Sequence, residues 1–70
     1  MRYTVVIERA PGNLAAYVPD LPGCVATGGT LGELLEEIRD AMELHIQSLR
    51  DHGERIPDPL CTAAVVEVAA

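Results

Sequence analysis

TLGELLEEIRDAMELHIQSLRDHG, residues 30–53, decides the fold, because its ends and its periodicity both specify one long amphipathic helix. Thr30 followed by Glu33 is a capping box, in which each side chain satisfies an orphan backbone N–H of the first turn. Gly53 supplies the left-handed residue on which helices commonly terminate. Between them Leu31, Leu34, Leu35, Ile38, Ala41, Met42, Ile46 and Leu49 recur at three- and four-residue spacing and form one apolar stripe. Glu36, Glu37, Arg39, Asp40, Glu43, Gln47, Arg50 and Asp51 lie opposite. Leu44 interrupts that polar side, and His45 interrupts the stripe.

Working outward, the segment before the helix reads as three strands. Residues 2–8, RYTVVIE, are rich in β-branched and aromatic types, with Tyr3, Val5 and Ile7 on one face. Pro11-Gly12 suits a tight turn, with proline presetting φ and glycine accepting a positive φ. Residues 14–18, LAAYV, form a second strand, with Leu14, Ala16 and Val18 facing one way and Ala15 and Tyr17 the other. Pro19 to Gly23, with two prolines and a glycine, ends it. Residues 24–27, CVAT, are a short third strand. Beyond the helix, Pro57 and Pro59 stiffen a connector, and residues 61–68, CTAAVVEV, are expected as a fourth strand.

The expected architecture is therefore α+β, in β-β-β-α-β order, with one helix on one face of a four-stranded sheet. Its last strand is expected to return parallel to the first, giving order 3-2-1-4. No linker separates a second domain within residues 1–70. Val5, Val6 and Ile7 are consecutive, as are Val65 and Val66, so the inner strands present apolar groups to both faces while the helix covers one. Seventy residues build a small core. Self-association, as dimer or tetramer, is the physical expectation, with Val6, Leu44, Val65 and Val66 as interface candidates.

Eleven acidic residues against five basic ones give a net charge of −6, and there is no Trp or Phe. Phosphate backbones attract basic surfaces and unpaired bases stack on aromatic rings, so nucleic acid is not the expected direct partner. A basic protein is. No apolar run approaches a membrane span, and Arg2, Glu8 and Arg9 break the N-terminal region where a signal peptide needs continuous apolar character; a cytoplasmic location is expected. Cys24 and Cys61 are far apart and match neither a disulfide framework nor a zinc site, so both are read as buried free thiols.

YTVVIE, AAYVPDLPGC, GGT before the helix and GERIPDP after it resemble the HicB-type antitoxin domain, over Tyr3 to about Pro59. The run Val18-Pro19-Asp20-Leu21-Pro22-Gly23-Cys24 carries most of the resemblance. It implies a partial ribonuclease H-like fold and a type II toxin–antitoxin role, masking a small basic mRNA-cleaving toxin of the HicA kind. Leu34 stands where the family usually has alanine. Full-length members continue into a C-terminal DNA-binding domain, which is not expected within this chain, and short solitary members need not have a toxin.

Metal-dependent hydrolysis requires several carboxylates converging on divalent ions. Glu8, Asp20 and Glu33 are the acids to consider, yet their spacing demands no convergence, and no enzyme, cofactor or metal site is expected. His45 lacks a second His or Cys one turn away and reads as a half-buried side chain near an interface; His52 complements the helix dipole. Gly28-Gly29 lacks the lysine of a phosphate-binding loop and reads as chain geometry. The candidate partner-binding groups are Asp20, Glu36, Glu37, Asp40 and Glu43, against the simpler alternative of a solvated helix face. The functional alternatives are a solitary homo-oligomer with a structural or regulatory role and no toxin, and a ribonuclease H-like hydrolase.

Overall fold

A computed structural model describes residues 1–70. Its elements run β1 (Val6–Ala10), β2 (Asn13–Tyr17), β3 (Val25–Gly28) and α1 (Leu31–Asp51), and the three strands form one antiparallel sheet in the order β1-β2-β3. Ala10 pairs with Asn13 across the two-residue turn Pro11-Gly12, where Gly12 has φ 81°. The turn therefore forms where proline and glycine placed it.

β1 is shifted from the expected residues 2–8, for a reason that lies in β2. Its register pairs Val6 with Tyr17, so continuing the ladder toward the N-terminus would set Thr4 opposite Pro19. Proline has no N–H to donate. Val18 also turns its backbone the other way, donating to the Cys24 carbonyl and accepting from the Leu21 N–H, both at 3.1 Å. The Pro19–Gly23 turn thus closes on β3 and leaves residues 3–5 outside the ladder, with Tyr3 and Val5 packed on the core by their side chains.

Both helix ends follow local chemistry. The Thr30 hydroxyl accepts the Glu33 N–H at 3.2 Å, and the Glu33 carboxylate reaches back to the Gly29 N–H at 3.1 Å, one residue earlier than in the usual capping box. At the other end Gly53 has φ 66° and donates to Arg50, while Glu54 donates to Leu49, the paired bonds of a Schellman motif. Gly28 has a different task. A Cβ there would stand 2.8 Å from the Leu34 backbone nitrogen, so glycine lets the first turn of α1 lie directly against β3.

The core is Ala16, Val18, Leu21, Cys24, Leu34 and Ile38, set between one sheet face and the helix. Only six of 70 residues are buried, so much of the apolar pattern stays at the surface. Ala41, Met42 and Ile46 pack on the core rim. Leu35 and Leu31, expected within the buried stripe, are 45% and 51% exposed because the stripe is wider than the three-stranded sheet beneath it.

The fourth strand is absent. Residues 61–68 carry no regular structure and residues 60–70 are exposed throughout. The expected 3-2-1-4 sheet is here three-stranded, and the outer edge of β1 has no partner. The radius of gyration, 13.8 Å, exceeds the roughly 11 Å of a compact chain this long, as a tail reaching away from the body requires. The expectation of two buried thiols is half right: Cys24 is buried and Cys61 is exposed at the base of the tail.

Candidate partner-binding face

Because successive helical residues are 100° apart, burying Leu34 and Ile38 fixes what faces solvent. Glu36, Glu37, Asp40 and Glu43 are all exposed on α1. Leu44, 73% exposed, lies one turn after Asp40 and two after Glu37, so it forms an apolar spot bordered by acids. The single ion pair of the chain, Arg55 with Asp58 at 3.1 Å, lies elsewhere. None of the helix acids is therefore held in an ion pair within the chain.

Asp20 is placed differently. It is half-buried in the turn after β2, and its Oδ2 accepts the Cys61 N–H at 2.8 Å. Thr4 donates to the Cys61 carbonyl at 2.8 Å and Tyr3 donates to the Pro57 carbonyl at 2.6 Å, so three side chains tie the connector to the sheet end. Asp20 thus has a structural task that its position in a turn did not reveal, since its partner is 41 residues away.

The same carboxylate governs the Cys61 thiol. The thiol's hydrogen bond to the Asp20 carboxylate, which the protonated thiol donates, pushes it up from its ordinary pKa, with lesser contributions from desolvation and the carboxylate's charge, and burial pushes Cys24 up as well. Only the thiolate is nucleophilic. A raised pKa leaves less thiolate at neutral pH, so Cys61, although exposed, should alkylate more slowly than an unstructured cysteine. Asp20→Asn should accelerate it, and Cys24 should react only on unfolding; iodoacetamide labelling followed by mass spectrometry measures both.

The remaining interface candidates fall into two places. Val6 pairs with Tyr17, which pairs with Val25, so these three share the sheet face opposite the helix. That face holds a shallow depression of about 410 Å³, lined among others by Glu8, Tyr17, Val25 and Thr27. Val25, 64% exposed, belongs with Val6 and was not singled out from the sequence, although strand alternation places it there. Val65 and Val66 lie on the free tail, at 102% and 77% exposure.

Between the segment that leads into β1 and the helix runs a larger groove of about 780 Å³, walled by Tyr3 and Val5 on one side and Leu35, Met42 and Ile46 on the other, with Arg39 and Glu43 at its rim. Sequence periodicity assigned its apolar walls to a closed core. His45 is half-buried, as expected, and Glu8, Asp20 and Glu33 do not come together, there being no group of three potential metal ligands anywhere in the chain. No helix is long and apolar enough to cross a membrane.

Among known proteins, the family model for the HicB-like antitoxin of bacterial toxin–antitoxin systems matches residues 3–69. A UPF0150 protein of Thermoplasma acidophilum is 43% identical over 58 residues, covering 81% of this chain and 84% of that protein. A UPF0150 protein of Synechocystis is 38% identical over 58 residues, covering 81% and 80%. An uncharacterized 14.9 kDa protein of Haemophilus phage HP1 is 33% identical over 57 residues, which span 81% of this chain but 43% of the phage protein. With nearly the whole chain matched by the family model, this protein belongs to the HicB-like antitoxin family of bacterial toxin–antitoxin systems.

Proposed function

We propose that this chain is a non-enzymatic antitoxin module that self-associates and neutralises a small basic mRNA-cleaving toxin of the HicA kind. The observation that carries the reading is the acidic side of α1, with Glu36, Glu37, Asp40 and Glu43 exposed and engaged in no ion pair within the chain. A protein that grips RNA must present positive charge, and a rigid acidic helix is a suitable cover for it. Leu44 supplies an apolar contact among those acids. Asp20, whose Oδ2 accepts the Cys61 N–H, holds the connector to the sheet end.

Charges at an interface rim act mainly on the association rate and are screened by salt. Converting Glu36 and Glu37 to Lys should slow association with a small basic toxin of the HicA kind at least tenfold at low ionic strength, and much less at high. Both residues are exposed, so the fold should survive. Stopped-flow binding at two salt concentrations is the test; a rate indifferent to salt and to the double reversal would overturn the electrostatic reading.

The exposed apolar surface favours a second reading, a homo-oligomer acting with no toxin. The two differ in whether a small basic reading frame adjoins this one.

A further inference from the structure

We propose that residues 62–68 complete the sheet of a second copy, pairing along its β1 edge and filling its groove against α1, so that two chains form a reciprocal strand-exchanged dimer. The proposal rests on the self-association reading above and specifies its interface.

Two unsatisfied halves of one interaction are present in the same chain. One is the outer edge of β1, a row of backbone donors and acceptors without a partner strand. At the N-terminal end of that edge lies the 780 Å³ groove, walled by Tyr3 and Val5, which lead into β1, and by the exposed Leu35 and the half-buried Met42 and Ile46 of α1. The other half is the tail, TAAVVEV, which has the β-branched composition of a strand, no sheet to join, and 102%, 77% and 76% exposure at Val65, Val66 and Val68.

The faces of the two halves match. The bond from Thr4 to the Cys61 carbonyl sets these residues side by side. Counting along a parallel strand from that pair, Thr62, Ala64, Val66 and Val68 fall on the face of Val5 and Ile7, toward the helix, while Ala63, Val65 and Glu67 fall with Val6 on the open face. The only charge in the segment thus points away from the groove. Ile7, on the helix side yet 41% exposed, would gain the cover it lacks.

The occupant is a second copy because of how the tail is launched. Asp20 and Thr4 hold both backbone groups of Cys61, Pro57 and Pro59 stiffen the connector behind it, and every residue after Cys61 is exposed and outside the chain's own sheet. With Cys61 pinned directly before Thr62, the hinge is too short to relax, and a short hinge favours exchange of an identical element. A two-fold axis across the tails brings each strand into the partner's groove from its Thr4 end, parallel to β1. Seven residues extend about 23 Å, longer than the five-residue β1 they would flank.

The test uses the full chain. Sedimentation equilibrium at micromolar concentration should give twice the 7.5 kDa chain mass. Isotopically labelled and unlabelled chains, mixed, unfolded and refolded together, should show filtered NOEs between Val66 or Val68 methyls of one copy and Ile7, Met42 or Ile46 of the other. Val66→Pro, which removes a ladder donor from an exposed position, should weaken dimerisation at least tenfold while leaving the helical circular dichroism unchanged. A dimer whose tail contacts only its own β1, or contacts nothing, overturns the exchange and leaves self-association standing. A monomer overturns both.

Discussion

Replacing Ile38 by alanine is expected to lower the unfolding free energy by about 2 to 5 kcal/mol, the usual cost of removing a large aliphatic side chain from a packed site. Ile38 is 2% exposed and lies one turn from the fully buried Leu34 in a core of six residues. In a chain of this length such a loss is comparable to total stability, so the variant should be largely unfolded at room temperature. Leu35→Ala is the contrasting change, since its side chain walls the groove at 45% exposure. It should cost about 1 kcal/mol in dilute chain, and more at concentrations where a partner strand covers it. Urea denaturation at two protein concentrations measures both effects; equal costs would mean that Leu35 belongs to the core.

Gly28→Ala should cost about 1 to 3 kcal/mol, from overpacking rather than from lost burial. The added methyl would lie 2.8 Å from the nitrogen and 3.0 Å from the Cα of Leu34, which are backbone atoms of the helix's first turn and cannot rotate aside. The helix must then move off β3, loosening Leu34 from the core. Gly32→Ala serves as a control, because nothing lies within 4 Å of a Cβ there and its helical backbone in the first turn suits alanine, which has less freedom to lose on folding. It should stabilise the protein by about 0.4 to 1 kcal/mol. Thermal unfolding of the two variants should move the midpoint in opposite directions.

What the sequence made legible was chemistry that acts over a few residues. Thr30, Glu33 and Gly53 mark the helix ends because capping and Schellman bonds join neighbours in the chain. Pro11-Gly12 marks the hairpin for the same reason. The start of β1 was misplaced because the atom that limits it, the missing N–H of Pro19, lies on the strand opposite. The valine-rich tail has strand composition, but composition does not name the strand with which it pairs, and within one chain it pairs with none. Cys61 was read as buried on the general habit of cysteine, whereas its surroundings depend on Asp20.

The candidate site divides along the same line. Periodicity alone puts Glu36, Glu37, Asp40 and Glu43 on the solvent side of α1 and Leu44 among them, and the structure has all five exposed. The groove beside β1 was not legible, because an apolar stripe looks identical whether a fourth strand lies over it or leaves it open. Leu35, Met42 and Ile46 therefore read as core from the sequence and as groove wall in the fold.

The proposed function has this chain covering a basic RNA-cleaving partner, and it stands or falls on cleavage of RNA by a small basic toxin of the HicA kind, measured with and without one equivalent of this chain. One equivalent of the chain should abolish cleavage at low salt, the Glu36→Lys, Glu37→Lys variant should protect less, and the chain alone should leave RNA intact with magnesium present. Undiminished cleavage in the presence of the folded chain, or magnesium-dependent cleavage by the chain itself that Glu8→Gln removes, would contradict it.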